Sequence, residues 1–216
     1  GALDRQTLAT DSFDNRGNAL RQTVLSEGYV EGAWSFSGMK DITNSLIDIH
    51  DQTAHAEVGS YNAAVISSEN FIGADSINYT LYDKFGNVET QNVHSYTDEL
   101  KAVLKEYKEV VNTFKDDVSR RRGNAEVSTV SRWLDDTKAN DKWIDKTVMT
   151  TTFFDGQGRA VDQTQVTSAY DSVAGNLRVS RQREIHNSNF NNRGDVLNQT
   201  VLIKGTDGNG ANLSVL

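Results

Sequence analysis

Polar and apolar residues alternate along much of this chain in short segments that end in turn signals, the pattern of β-strands joined by hairpins. Four segments end in one motif: an aromatic residue, Asp or Asn, two variable residues and Gly. Asp or Asn at the first position of a type I turn accepts a hydrogen bond from the backbone two residues on, and Gly at the fourth position can adopt the left-handed conformation. The motif therefore predicts hairpin turns built on Asp14 and Gly17, Asp83 and Gly86, Asp155 and Gly158, and Asn191 and Gly194.

A glutamine follows each motif glycine by five residues. The set is Gln22, Gln91, Gln163 and Gln199. Each shares a strand face with the residue two positions before it, which is aliphatic in three of the four copies. Two interpretations stay open: the amides form a ladder along stacked units, or they are solvated strand residues that recur through shared ancestry.

The motif glycines lie 69, 72 and 36 residues apart. This spacing indicates a unit of about 36 residues, with weak or replaced copies between the clear ones. A partial copy spans residues 170–177, and Asp207 to Gly210 form a further turn signal. Residues 147–216 are therefore predicted to be consecutive hairpins.

The middle of the chain carries a different pattern. From Asp98 to about Arg120, apolar residues recur every three or four positions between charges, which predicts a helix capped by Thr97 or Asp98 and ended by Gly123. A second helix is predicted from Ala125 to about Lys138. The pair would pack on the sheet through its apolar stripe, or dock a partner through it.

These patterns predict a mainly β fold of the α+β class: stacked antiparallel β-hairpin repeats with an inserted helical hairpin around residues 98–139. The predicted division is β-rich repeats over 1–97, a helical insertion over 98–146 and hairpin repeats over 147–216, in one continuous elongated domain. Between Tyr29 and Tyr79, alternating Gly and aromatic residues predict several short strands, whereas Ile42, Leu46 and Ile49 fit one short helix instead.

Composition adds three limits. The apolar fraction is 37%, which suits half-buried sheets better than a thick core. Cysteine is absent, so disulfides and thiolate sites are excluded, while the compartment stays open. The formal charge of -8 argues against a nucleic-acid binder, since that affinity comes from Lys and Arg on phosphates. The sequence contains no stretch of 18 apolar residues, so membrane insertion is not predicted. The start at Gly1 is typical of an excised or processed fragment.

Candidate chemistry is sparse in this sequence. The histidines His50, His55, His94 and His186 lack a metal-ligand spacing. Calcium is a possible cofactor at the turn carboxylates of Asp14, Asp83, Asp155 and Asp207, although no EF-hand spacing occurs and turn capping explains these residues. Trp34, Trp133 and Trp143 are either core residues or a platform for sugar stacking, with Trp34 the candidate binding residue. No catalytic residue and no cofactor are predicted.

The motif Tyr/Phe-Asp-x-x-Gly followed by a short strand resembles the YD-repeat, or rearrangement-hotspot, family, over the hairpin units only. The resemblance implies long β-sheets in secreted or cell-surface proteins, and hence a scaffold. The predicted function is a structural or interaction module without catalysis, partnered by neighbouring repeat modules of the same polypeptide or of another protein. A carbohydrate- or peptide-binding domain is the alternative, and a hydrolase comes third.

Overall fold

A computed structural model describes residues 4–206 and 213–215 of the chain. Strands account for 66% of the structure and helices for 5%. The strands run β1 Asp4–Phe13, β2 Ala19–Val30, β3 Ala33–Ile47, β4 Thr53–Tyr61, β5 Phe71–Tyr82, β6 Val88–Tyr96, β7 Leu104–Thr113, β8 Val127–Trp133, β9 Trp143–Phe154, β10 Ala160–Asp171, β11 Asn176–Phe190, β12 Val196–Thr206 and β13 Leu213–Val215. One helix, α1 (Asp117–Arg121), and two 3₁₀ turns (Ser68–Asn70 and Asn140–Lys142) complete the described elements.

The thirteen described strands form one antiparallel sheet in which strand order follows chain order. The hairpins therefore lie edge to edge within a sheet. The chain divides into two compact units, Gly1–Thr80 with Asn92–Tyr107, and Leu81–Gln91 with Lys108–Leu216.

Burial in both units is shallow. In the first unit the buried apolar residues are Ala56, Tyr61, Ala74, Val93 and Tyr107. In the second unit Trp133 is the buried apolar residue, and Ser131, Thr151 and Asn187 are buried polar residues. No described side chain is less than 2% exposed. Neighbouring strands, more than a thick apolar core, therefore provide the packing of each residue.

The predicted helical hairpin around 98–139 is wrong, and with it the α+β class. Residues of that segment form β7 and β8, separated by the five-residue α1. The expected apolar stripe is not a packed face, because Leu100 is 90% exposed and Val118 is 57% exposed. β-Branched residues such as Val110 and Val111 favour the strand conformation.

The predicted helix start is a turn. Both carboxylate oxygens of Asp98 accept backbone N–H groups, from Ala102 at 3.0 Å and from Val103 at 2.7 Å, and Lys101 has a φ of 58°. An Asp side chain satisfies free N–H groups equally well in a helix cap and in such a loop, so the two signals look alike. The alternative short helix through Ile42, Leu46 and Ile49 is also wrong, because Ile42 and Leu46 lie in β3 and Ile49 lies in the turn that follows it.

Candidate functional site

Five turns share one hydrogen-bond pattern around their first side chain. In the turn after β5, Asp83 Oδ1 accepts the N–H of Phe85 at 2.8 Å and that of Asn87 at 2.9 Å. The same two acceptor contacts are made by Asp14, Asp48, Asp155 and Asn191. The fourth residues Gly17, Gly86, Gly158 and Gly194 have φ values between 83° and 91°. The motif residues named from the sequence all occupy these turns.

The turn at Asp48 was missed from the sequence because Asp51, with φ 62°, takes the place of glycine. The sixth comparable position is filled by α1, whose N-cap Asp116 accepts the N–H of Ser119 and which is followed by Gly123 at φ 68°. These are the replaced copies that the double glycine spacings indicate. The available signal was an Asp midway between two clear copies.

The turn carboxylates are held in their charged form. A side-chain hydrogen bond from Asn18 lowers the pKa of Asp14, and the backbone N–H of Arg159 lowers that of Asp155. For Asp83, burial opposes ionisation, but hydrogen bonds from the side chain and backbone of Asn87 outweigh it and the pKa is lowered. These oxygens are therefore engaged by N–H donors, which leaves less capacity for a cation.

Adjacent turns of the first unit are linked. Asn18 Nδ2 donates to Asp51 Oδ1 at 2.8 Å, and Arg16 Nη1 lies 3.2 Å from the same carboxylate oxygen. The Arg16 guanidinium also donates to the carbonyls of Ile47 and Asp48, at 3.2 and 2.5 Å. One motif turn is thus joined to the next along this end of the unit.

The turns of the second unit are linked by different residues in the same way. Arg120 of α1 forms ion pairs with Asp83 and Glu89. Asn124 Nδ2 donates to the carbonyl of Gly158 at 2.7 Å. The guanidinium of Arg159 lies 4.2 Å from the ring centre of Phe190, a cation–π contact.

Three of the four motif glutamines bridge the two strands of their own hairpin. Gln163 Nε2 donates to Thr151 Oγ1 at 3.1 Å. Gln22 and Gln199 donate in the same way, to Thr10 at 3.2 Å and to Asn187 at 2.8 Å. Gln91 lies in β6. Each of the three described bonds spans 12 residues and ends on the residue four positions before the turn Asp or Asn.

Three asparagines that were not recognised from the sequence each join one hairpin to the next. Asn44, Asn112 and Asn187 donate Nδ2 to the carbonyls of Ala19, Val88 and Ala160, at 3.1, 3.0 and 3.0 Å. Each acceptor lies two residues after a motif glycine, and each Asn lies four residues before the next turn's Asp or Asn. That second spacing was the sequence signal. Asn187 also accepts from Gln199 and so belongs to both sets.

The register between successive hairpins is the same at four interfaces. The first position of the pair lies five residues after the fourth residue of one turn. It faces an aliphatic or Met residue that lies six residues before the first residue of the next turn. The pairs are Gln22 with Ile42, Ala56 with Ile77, Ser128 with Met149 and Gln163 with Ile185. A one-residue slip would reverse every side chain, so this constancy marks a structural repeat.

Trp34 lies at the start of β3, next to the β2–β3 turn, and is 37% exposed. Its ring packs edge-on against Tyr29 at 5.2 Å, and the guanidinium of Arg5 lies 4.6 Å from the ring centre. Arg5 is itself held by two hydrogen bonds to Glu27, at 2.6 and 2.9 Å. A sugar stacking on the indole would have to use the ring surface that Arg5 leaves free.

The histidines are dispersed over different elements. His186 pairs with Asp162 at 2.6 Å, and His55 contacts Asn78 and Glu57 at 2.9 and 2.8 Å. His94 packs against Tyr96 and Tyr107, and His50 lies in the turn that follows β3. Within residues 4–206 and 213–215, no three His, Asp or Glu side chains are grouped to hold a metal ion. The turn predicted at Asp207 lies outside the described residues, and no described helix is long and apolar enough to cross a membrane.

The sequence matches no protein-family model, and no curated protein matches it. The similarity to YD-repeats therefore stays a hypothesis that rests on the motif copies alone.

Proposed function

We propose that this chain is a structural repeat module, without catalysis of its own, within a larger exported or surface protein. The constant register between hairpins carries the proposal, because the same pair of positions meets at four separate strand interfaces. A sheet assembled by one repeated rule can be lengthened or shortened by whole units, as in other repeat proteins. Its partners would be further modules of the same pattern, in the same polypeptide or in another protein.

The repeated contacts support a scaffold over a binding domain. Turn side chains, strand glutamines and strand asparagines all bind other parts of the sheet, at Asp83, Gln163 and Asn187 for example. Residues that recur in such contacts serve the folding of each unit. A recognition surface would instead need polar groups that converge on a ligand.

Duplication of one unit tests the proposal. Residues 155–190 run from one motif turn to the residue before the next, and Phe154 and Phe190 end both strands alike. A second copy of 155–190 placed after Phe190 should fold, retain cooperative unfolding and raise the β signal in circular dichroism in proportion to length. The matched control inserts the same 36 residues in scrambled order, which should lower the thermal midpoint or cause aggregation. Equal behaviour of the two insertions would contradict a modular scaffold.

Carbohydrate binding is the competing function, and Trp34 is the residue that would carry it. A screen of the intact chain on a glycan array, with Trp34→Ala as the comparison, separates the two functions. Glycan binding that disappears in Trp34→Ala would overturn the scaffold proposal. Trp143→Ala is the control variant, since Trp143 packs against Trp133 at 4.2 Å between ring centres.

A further inference from the structure

Among the described residues the sheet ends at β1 and at the three-residue β13, and because β13 is short, most of β12 also has an open side. β12 pairs with β11 along Val196 to Gly205, whereas β13 covers its other side only from Lys204 to Thr206. In the first unit, β1 pairs with β2 and has no second partner among the described residues. Such edges present unpaired N–H and C=O groups, which accept a further strand readily.

Each open edge carries one of the two positions that face each other between successive hairpins. Gln199 lies five residues after Gly194, so β12 offers the first position of the pair. Leu8 lies six residues before Asp14, so β1 offers the second. Leu8 is 59% exposed, whereas its counterparts in strands with two neighbours are partly buried, namely Ile42, Ile77, Met149 and Ile185.

The apolar residues of β12 fit the same arrangement. Leu197 is 63% exposed and Val201 is 40% exposed, and both share a face with Gln199. At the preceding interface, the equivalent row of β10 is covered by β11, with Ile185 opposite Gln163. A strand of the β1 type on the open side of β12 would cover its row in the same way.

The side chains of the two edges are compatible in this register. Continuing the rule along both strands places Thr7 opposite Thr200, a favourable cross-strand pair. Arg5 falls opposite Leu202 and Asp11 opposite Val196, so no charge meets a like charge directly. In this register, Arg5 to Asp11 of β1 would face Val196 to Leu202 of β12, and β13 leaves those residues of β12 uncovered.

We propose that β12 of one copy of this chain accepts β1 of a second copy, antiparallel, with Gln199 opposite Leu8. This inference rests on the proposed scaffold function and names its partner surface. The contact joins two different edges, so it is head-to-tail and open-ended. Because each copy carries a charge of -8, repulsion opposes the contact and added salt should strengthen it.

Cysteine pairing tests the register directly, because the chain has no cysteine of its own. Thr200→Cys and Thr7→Cys proteins are mixed in a glutathione redox buffer, and intermolecular disulfides are quantified. Directly opposite residues lie within the Cα separation that a disulfide allows, whereas residues displaced by four positions do not. The matched control mixes Val196→Cys with Thr7→Cys. We expect at least about tenfold more mixed disulfide in the first mixture.

Each other outcome overturns the proposal. Equal yields in the two mixtures would reject the register, and disulfides formed mainly between two Thr200→Cys molecules would show β12 pairing with itself. Sedimentation of the unmodified chain provides a second measurement, in which larger species should grow with concentration and with salt. A chain that stays monomeric in both series also overturns it.

A surface variant separates edge pairing from general stickiness. Leu8→Lys places a charge on the open edge and should reduce the larger species at least about tenfold, because edge charges block strand addition. The control is Ile72→Lys, a strand residue with the same 59% exposure in β5, which has neighbours on both sides. If both variants reduce assembly equally, the edge is not the contact.

The two proposals fail in distinguishable ways. A folded 155–190 duplication without register-specific disulfides leaves the scaffold function standing and rejects the pairing of copies. Failure of the duplication together with failure of the cross-link rejects both.

Discussion

Asn187 offers the sharpest test of how neighbouring hairpins hold together. It is 5% exposed, donates to the carbonyl of Ala160 at 3.0 Å and accepts from Gln199 Nε2 at 2.8 Å. Asn187→Leu keeps a side chain of similar length in the strand and removes both hydrogen bonds. The Ala160 carbonyl then lies against an apolar group.

The expected loss follows from what each partner can do afterwards. The Gln199 side chain is exposed and can bind water, so its lost bond costs about 0.5 to 1 kcal/mol. The covered Ala160 carbonyl loses its partner in a place that leucine fills, which costs about 1 to 3 kcal/mol. Apolar contacts of the new leucine recover part of this. We expect a net destabilisation of about 2 kcal/mol at the β10–β11 interface.

Native-state hydrogen exchange is the suitable assay, because a repeat sheet can open locally without unfolding as a whole. Amides of β10 and β11 should lose protection in Asn187→Leu, while those of β2 and β3 keep theirs. The control is Asn198→Leu in β12, an exposed residue, which should change protection by less than about 0.5 kcal/mol. Indistinguishable exchange in the two variants would refute the role assigned to Asn187.

Two further predictions concern the turns. Gly17→Ala and Gly158→Ala both force alanine into a left-handed conformation, at a cost of about 1 to 2 kcal/mol. Gly158→Ala should lower the thermal midpoint more than Gly17→Ala. A Cβ at Gly158 would lie 2.7 Å from Asn124 Nδ2, whereas a Cβ at Gly17 would have no atom within 4 Å. The lowered pKa of Asp155 stabilises the fold fully above the ordinary Asp pKa of about 3.9, and this contribution is lost as pH falls through the folded-state value. Asp155→Asn should therefore reduce the fall of the thermal midpoint at acid pH. The variant should keep the turn, since Asn191 makes the same backbone contacts in its own turn. An unchanged dependence of the midpoint on pH would refute the contribution assigned to the Asp155 carboxylate.

The turns were predictable because their chemistry is local. Asp83 and Gly86 specify the turn through contacts within five residues, and the same holds for the other clear copies. The copy at Asp48 was harder to recognise, because Asp51 adopts the left-handed φ that glycine supplies in the clear copies. A residue that departs from the usual turn chemistry hides a repeat that the spacing alone indicates.

The strands β7 and β8 were not predictable from their own residues. Leu104, Tyr107 and Val111 follow the helical period, yet they lie in strand β7 of the sheet, whose contacts are with residues far along the chain. Glu109, for example, pairs with Lys138 at 2.7 Å. Neither residue reveals that contact in the sequence, since the two lie 29 positions apart. Asn112 was likewise informative only once its acceptor, the carbonyl of Val88, was known.

A sheet with this little burial must draw its stability from contacts between adjacent strands. Ion pairs directly across strands, such as Arg5 with Glu27 at 2.6 Å, lie beside the asparagine and glutamine bonds that repeat from hairpin to hairpin. Exposed pairs contribute little singly, so no single strand is held strongly without its neighbours. Under nearest-neighbour coupling, a strand with one neighbour is less stable than a strand with two. β1 has one neighbour among the described strands, and β13 covers only three residues of β12, so β1 and β12 gain most from a further strand. This is the physical reason that a module of this construction should be found with its edges covered.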